Sequence, residues 1–242
     1  MPGDLAGFDS MVEPIEILYR DPYLVAVNKP AGHLVHPARE PAADDLVTMK
    51  IVRDQIGQRV YTIHRLDRPT SGVLLLGIDR SVARSLHLAL EAHDFEKKYW
   101  AVVQGQPAAA EWECRAPIQK EELAPLREAH TSFRVLASER VAALEPIFGE
   151  AAGGLSLVEA EPHTGRFHQI RRHLLDCELP IVGDYRYAGI ERSNQLSDLL
   201  GLQSRMMLQA KSLKIQHPVT GEELMIEAPA EPLFERCVAS FF

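Results

Sequence analysis

Short apolar runs separated by turn residues open the chain and predict a β-hairpin. Ile15–Tyr19 and Tyr23–Val27 are two such runs, and Asp21–Pro22 between them is a typical turn pair. A second turn is predicted at Asn28–Gly32, where Asn, Pro and Gly fall close together. The first thirty residues therefore predict paired strands rather than a helix.

Helical spacing of apolar residues appears later in the chain. Residues 45–57 predict a helix with Asp44 or Asp45 as its N-cap and Gly57 as its end. Residues 81–93 predict a second helix, because their apolar positions recur every three or four residues. Further helices are predicted at 167–176, after a turn at residues 163–166, and near the C-terminus.

Strand-like runs outnumber these helices and usually follow one another. They cover residues 59–63, 72–78, 99–103, 155–161, 205–208 and 211–216, and the region 108–161 predicts antiparallel strands with loose connections. Strands that neighbour strands favour an α+β fold built on a large, mostly antiparallel sheet over a doubly wound parallel one.

Length and composition are those of a globular protein. The chain has 242 residues, of which 46% are apolar and 25% charged. We expect residues 13–242 to form a single domain and residues 1–12 to be a disordered N-terminal extension.

Cysteine usage and hydropathy favour a cytoplasmic protein. Three distant cysteines, Cys114, Cys177 and Cys237, argue against a disulfide framework and against a Cys-based zinc site. No apolar run approaches the length of roughly 18 residues that spans a bilayer. The acidic N-terminus lacks the pattern of an export signal.

Charge is unevenly distributed along the chain. The net charge is −8, yet residues 47–100 carry nine Lys or Arg against six Asp or Glu, and residues 162–218 carry eight against five. If these two positive segments meet in space, they form a basic face suited to phosphates on an acidic body. A chance excess of this size explains the counts equally well.

The segment His64–Gly72 contains the strongest candidate for chemistry. Asp67 lies between Arg65 and Arg68 in a predicted loop that Pro69 stiffens. A fixed cation beside a carboxylate stabilises its ionised form. An ionised, immobile aspartate is what nucleophilic chemistry at a sugar carbon requires, and the flanking arginines suit a phosphate-rich substrate.

Two further segments carry basic and aromatic residues. In Lys97-Lys98-Tyr99, the tyrosine could stack on a base while the lysines meet phosphates, although a strand tyrosine beside surface lysines explains it as well. Gly165–His173 begins a helix with three arginines and no acid, which suits phosphate binding or a solvated helix face.

Cofactor and metal signatures are missing from the sequence. His163, His168 and His173 recur every fifth residue, whereas zinc-binding helices use a spacing of four. The chain contains no Walker loop, no Rossmann glycine pattern and no G-x-S-x-G elbow. We therefore expect no metal and no nucleotide cofactor, and chemistry from side chains alone.

Taken together and in order, the three segments resemble the motifs of the RluA-type pseudouridine synthases. The similarity extends from about Ile15 to Pro229 and includes the runs Val27–Gly32 and Pro180–Asp184. The resemblance implies the pseudouridine synthase fold, a mixed and mostly antiparallel sheet with flanking helices and a central active-site cleft. It implies conversion of uridine to pseudouridine in RNA, without a cofactor.

The same resemblance implies roles for particular residues. Asp67 is the catalytic carboxylate, Arg171 pairs with it, Tyr99 packs on the uracil ring, and Arg65 fills the space of the extruded nucleotide. The RNA-binding residues implied are Arg68, Lys97, Lys98, Arg166, His168 and Arg172.

Within that family, the run from Arg53 to Gly72 most resembles members that act on uridine 65 of tRNA. Other members act on ribosomal RNA or on the tRNA anticodon arm, and both substrates remain alternatives. Two other classes also remain open: an RNA-binding protein without turnover, and a nucleosidase or glycosidase acting on a small molecule. We expect a monomer that binds RNA, with tRNA as the first choice of partner, and no contact with membranes.

Overall fold

A computed structural model of the protein describes residues 13–40, 42–120, 123–149 and 153–242. The N-terminal extension predicted for residues 1–12 lies outside the described residues. Within these ranges, no helix combines the length and hydropathy that a membrane span requires.

Among the described residues, ten strands form one sheet. They are β1 (Ile17–Arg20), β2 (Leu24–Lys29), β3 (Tyr61–Thr62), β4 (Ser71–Gly77), β5 (Glu96–Gln104), β6 (Glu111–Cys114), β7 (Thr131–Arg140), β8 (Gly154–Pro162), β9 (Leu208–Gln216) and β10 (Glu223–Glu227). Their order is β1-β2-β4-β9-β5-β8-β7-β6, with β3 paired to β4 and β10 to β9. The predicted hairpin at the start of the chain is confirmed by the antiparallel pairing of β1 and β2.

Six helices of the described part of the chain accompany the sheet. They are α1 (Thr48–Ile56), α2 (Arg80–Glu91), α3 (Glu145–Phe148), α4 (Gln169–Asp176), α5 (Ile190–Leu200) and α6 (Pro232–Phe241). The predicted α+β class is confirmed. Gly57 ends α1 in a left-handed conformation, as predicted, because glycine adopts a positive φ without steric cost.

The centre of the sheet is a short parallel pairing between β4 and β9. It joins Ser71 to Gln209 and Gly72 to Ala210, whereas the other strand pairs are antiparallel. Gly72 has φ +105°, and a Cβ there would overlap the backbone of Ala210. Only glycine therefore allows the two halves of the sheet to approach each other at this point.

Apolar residues of β4 fix the segment that precedes it. Leu66, immediately before Asp67, is buried in a cluster with Leu74 and Leu76 of β4 and Val52 of α1. On the other half of the sheet, Ile170 and Leu174 of α4 pack in a cluster that includes residues of β5 and β8. These two clusters hold the Asp67 loop and α4 on a common rigid framework.

Several predicted boundaries were wrong for identifiable reasons. The N-cap of α1 is Val47 without a side-chain bond, because the Asp45 carboxylate accepts from the Ala42 N–H and pairs with Arg68. Helix α4 begins at Gln169, since the Gln169 side chain accepts from the Arg166 N–H and fixes a turn before it.

The strand predictions also need correction in three places. Of the strands predicted at 205–208 and 211–216, residues 205–207 lie outside any strand, whereas Leu208 and residues 211–216 belong to one strand, β9, because β5 pairs with it continuously except for one bulge. The strand predicted at 59–63 is reduced to the two residues of β3. Helix α5 was not predicted at all.

Candidate active site

The Asp67 loop connects β3 to β4 and is tied down by a buried lysine. The Lys29 side chain is fully buried, and its Nζ donates to the carbonyl oxygens of Pro30 (2.9 Å), His33 (2.8 Å) and Arg68 (3.2 Å). Burial, followed by the charge of Arg205, lowers the pKa of Lys29 to about 7. The amine therefore joins the turn after β2 to the residue that follows Asp67.

A buried arginine holds the end of the loop that leads into β4. Arg205 donates from Nη1 to the Pro69 carbonyl and from Nη2 to Ser71 Oγ, both at 2.8 Å. Its Nε pairs with Glu231 Oε2 at 2.6 Å. The segment that follows Asp67 is thus fastened at Arg68, Pro69 and Ser71 by two basic side chains from distant parts of the chain.

His64 at the start of the loop is structural. Its Nε2 accepts the backbone N–H of Leu75 at 3.0 Å, and burial, with a contribution from the Lys97 charge, lowers its pKa to about 4. The imidazole is therefore neutral near pH 7, which the accepting nitrogen requires.

Arg171 of α4 lies between two carboxylates. Its Nη1 donates to Asp67 Oδ2 at 3.1 Å, while Nε and Nη2 bind Asp184 Oδ2 and Oδ1 at 2.7 and 2.8 Å. Burial would lower the pKa of Arg171, but hydrogen bonds and charges of Asp184 and Asp67 raise it. The predicted pairing of Arg171 with Asp67 is present.

The two carboxylates differ in accessibility. The Asp67 side chain is 29% exposed, whereas Asp184 is 2% exposed, and both oxygens of Asp184 are occupied by Arg171. Asp184 Oδ1 also accepts from the backbone N–H groups of Arg186 and Tyr187. Only Asp67 can therefore present an oxygen to a substrate at this site.

His168 lies on the other side of Asp67. Its Nε2 is 3.7 Å from Asp67 Oδ2, and its Nδ1 is 2.9 Å from the Tyr187 hydroxyl. Burial lowers the pKa of His168 to about 4, with help from the charges of Arg171 and Arg186 and against that of Asp67. A neutral ring that accepts the Tyr187 proton on Nδ1 carries its own proton on Nε2, facing Asp67.

Tyr99 of β5 contributes a phenol to the site. Burial, followed by the negative charge of Asp67, raises the pKa of the Tyr99 phenol. The ring packs against Ala210 at the parallel junction. A protonated phenol therefore lies within the electrostatic range of the Asp67 carboxylate.

The remaining predicted residues of these two segments are Arg65 and Arg68 of the Asp67 loop and Lys97 and Lys98 of β5. Arg65 is exposed, and its charge adds to burial in lowering the pKa of His36. Arg68 donates to the Gly32 carbonyl at 2.9 Å and pairs with Asp45. Lys98 is 3.5 Å from Glu96, whereas Lys97 is half-buried and has its pKa lowered by that burial.

Two predicted RNA-binding residues, Arg166 and Arg172, contact the segment between β6 and β7. Arg166 donates to the Glu128 carbonyl and Arg172 to the Gln119 carbonyl. His173 of the same helix faces the carbonyl of Ala116. These side chains therefore hold the backbone at Ala116, Gln119 and Glu128, contacts that the sequence did not indicate.

Sequence reasoning missed four residues of the site. Asp184 stood at the end of a matched run without a role, and Lys29 and Arg205 are buried charges that no local pattern reveals. Tyr187 follows Asp184 by three residues and lies under Arg171, with the guanidinium carbon 5.0 Å from the ring centroid. Each becomes visible only when separate segments meet in space.

The chemistry available here is that of side chains. Among the described residues, no three His, Cys, Asp or Glu side chains are arranged to hold a metal ion. One accessible carboxylate, fixed by a guanidinium and bordered by a phenol, can attack an electrophilic carbon or accept a proton. A glycosidase pair, with a second carboxyl as general acid, is not formed because Asp184 is enclosed by Arg171.

Comparisons with known proteins place this geometry in context. The sequence model of a family described as RNA pseudouridylate synthase matches residues 23–176. The chain is 40% identical to the tRNA pseudouridine synthase C of Salmonella typhimurium over 94% of its length and 90% of that protein. It is 38% identical to the protein of the same name from Yersinia pestis, over 94% and 91%.

Solved structures agree on the fold. Human RNA pseudouridylate synthase domain containing 4 superposes with a TM-score of 0.69 at 25% identity, over 93% of this chain and 92% of that one. Human RNA pseudouridylate synthase domain containing 1 gives a TM-score of 0.70 at 22% identity, over 98% and 90%.

Proposed function

The chain belongs to the RNA pseudouridylate synthase family, and we propose that it isomerises uridine 65 of tRNA with Asp67 as the catalytic carboxylate. Relatives named tRNA pseudouridine synthase C support the choice of tRNA. The choice of uridine 65 rests on the resemblance of the run from Arg53 to Gly72 to members that act at that position.

The observation that carries the proposal is the contact between Asp67 and Arg171. A guanidinium at 3.1 Å, itself fixed by buried Asp184, binds the Asp67 oxygen and orients it. Preorganised charge of this kind suits a step in which positive charge develops at the sugar carbon.

The reaction balances without an external reagent. The bond between C1′ and N1 breaks, the detached uracil turns, and a bond forms between C1′ and C5. N1 gains a proton and C5 loses one, so the product is an isomer of the substrate. Attack of Asp67 on C1′ and elimination to a glycal both use the same ionised oxygen, and the Tyr99 phenol would pack on the uracil ring.

The substrate must leave its stack before C1′ becomes accessible. Extrusion of a paired uridine costs a few kcal/mol, which contacts with the enzyme offset. Arg65, exposed beside the loop, would take the place of the extruded nucleotide, and the remaining basic residues would contact phosphates. We propose that the protein acts as a cytoplasmic monomer, as the sequence led us to expect.

The test uses tRNA transcripts that carry tritium at C5 of uridine, since pseudouridine formation releases this hydrogen to water. We expect one tritium per transcript with the wild-type protein, and none when position 65 is cytidine. Tritium release from the cytidine transcript would mean that the reaction takes place at another uridine, such as one in the anticodon arm. Release of free uracil would instead indicate a nucleosidase, and a protein that binds without releasing tritium would be an RNA-binding protein only.

A further inference from the structure

An exposed aromatic side chain lies next to the active site and has no role in the chemistry described above. Phe167 is 37% exposed and directly precedes His168. The two rings are stacked, with centroids 3.7 Å apart and planes inclined by 22°. Since His168 Nε2 is 3.7 Å from Asp67, Phe167 lies one ring beyond the reacting carboxylate.

The position of Phe167 is fixed by the backbone and by a hydrogen bond. His168 has φ +54°, a left-handed conformation that few residues other than glycine adopt. Its Nδ1 is 2.9 Å from the Tyr187 hydroxyl, and the Tyr187 ring stands on edge to the imidazole at 86°. Such local strain concentrates at binding and catalytic sites, where surrounding contacts maintain it.

A cation lies beside the same ring. The guanidinium carbon of exposed Arg186 is 5.7 Å from the centroid of Phe167 and 5.9 Å from that of Tyr187. The Arg186 backbone N–H donates to Asp184, which fixes the start of this side chain relative to Arg171. An aromatic ring and an exposed guanidinium together form the combination that binds a base and its phosphate.

An isolated exposed phenylalanine is common on protein surfaces and needs no explanation. Phe167 differs because it is stacked on a residue that contacts Asp67 and is accompanied by an unburied arginine. Resting on the proposed action on RNA, we propose that Phe167 stacks on the base that adjoins the target uridine, while Arg186 contacts its phosphate. The partner is an unpaired nucleobase within one nucleotide of the reacting sugar.

A thermodynamic cycle between protein and RNA tests this contact. Wild-type protein and Phe167→Ala are assayed on transcripts with normal nucleotides and with an abasic nucleotide on the 5′ or the 3′ side of the target. Phe167→Trp keeps an aromatic ring, and Leu88→Ala removes an apolar side chain of α2 that is 57% exposed. Tritium release gives kcat and KM for each pair, and circular dichroism checks that each variant is folded.

We expect Phe167→Ala to raise KM by about fivefold or more, the lower range of base–aromatic stacking. One of the two abasic transcripts should impose a similar loss on the wild type and no further loss on Phe167→Ala. Phe167→Trp and Leu88→Ala should retain the wild-type KM, and Arg186→Gln should weaken the salt dependence of binding.

Two outcomes would overturn the stacking contact. The first is a wild-type KM for Phe167→Ala. The second is that, for both abasic transcripts, the KM increase caused by the transcript multiplies the KM increase caused by Phe167→Ala when the two are combined. Either result, obtained while wild-type protein releases tritium from the normal transcript, leaves the proposed reaction intact. Absence of release with wild-type protein would instead contradict the proposed function itself.

Discussion

Replacing Asp184 with asparagine removes the buried charge that holds Arg171, without changing the size of the side chain. The carboxylate accepts Arg171 Nε at 2.7 Å and Nη2 at 2.8 Å, and it is 2% exposed. An amide presents one oxygen and one NH₂ group, so its nitrogen must face a guanidinium N–H. One hydrogen bond is therefore lost, and the other loses the negative charge of its acceptor.

The expected loss of stability follows from these two bonds. Hydrogen bonds to charged groups contribute about 1.5–3 kcal/mol each, and removing one partner of a buried ion pair costs about 3–5 kcal/mol. Because Arg171 keeps its bond to Asp67, we expect the lower end, about 3 kcal/mol in the unfolding free energy.

We expect Asp184→Asn to slow catalysis by displacing the Asp67 oxygen, and to leave substrate binding nearly unchanged. A guanidinium that Asp184 no longer anchors can shift together with the Asp67 oxygen it binds, and misplacement by about 1 Å can cost about a hundredfold in rate. Because Asp184 is enclosed, we expect kcat to fall by roughly that factor while KM stays within about twofold of the wild type.

Urea unfolding and tritium release measure the two effects separately. Glu223→Gln is the matched control, because it breaks an exposed ion pair with Lys214 (2.9 Å), and we expect no measurable loss of stability or rate. Wild-type stability and wild-type kcat in Asp184→Asn would refute the positioning role of Asp184.

Three further experiments test the framework of the site and the proposed RNA substrate. Gly72→Ala should lower the unfolding free energy, measured in urea, by at least about 2 kcal/mol, because the added Cβ would overlap Ala210. Its control, Gly57→Ala, should lower it by only about 1 kcal/mol from the positive φ, because no atom lies within 4 Å of the added Cβ. Equal losses would contradict the close approach at the parallel junction. Burial lowers the folded-state pKa of Lys29 to about 7 from 10.5, so the folded chain binds fewer protons than the unfolded chain between these values. The unfolding free energy of the wild type should therefore rise relative to Lys29→Met by up to about 1.4 kcal/mol per pH unit in that window, and a pH-independent difference would count against it. Increasing salt should weaken tRNA binding as phosphate contacts are lost, and a salt-insensitive affinity in filter binding would argue against an RNA substrate.

Local patterns were sufficient for most of the secondary structure. Alternating and helically spaced apolar residues identified the β1–β2 hairpin, α2 and the C-terminal helix, because these elements bury one face of their own. They failed where tertiary contacts decide: Asp45 pairs with Arg68 instead of capping α1, and a single bulge allows β9 to remain one strand.

The candidate site could be predicted only in part. Asp67, Arg171 and Tyr99 were identified because they lie in segments that resemble known motifs. Asp184, Lys29 and Arg205 were missed because each acts through a partner more than ten residues away, and sequence distance conceals such contacts. Arg166 and Arg172 donate to protein carbonyls, contacts that an arginine-rich run does not reveal, and their role in RNA binding stays a prediction.

Single-turnover tritium release by Asp67→Asn tests the role of the aspartate most directly. The asparagine keeps the shape of the side chain but removes the charged oxygen that Arg171 orients. We expect no release from a tRNA transcript that wild-type protein converts fully, while the affinity for that transcript stays within about tenfold. Release at the wild-type rate would contradict the assignment of Asp67 as the catalytic carboxylate.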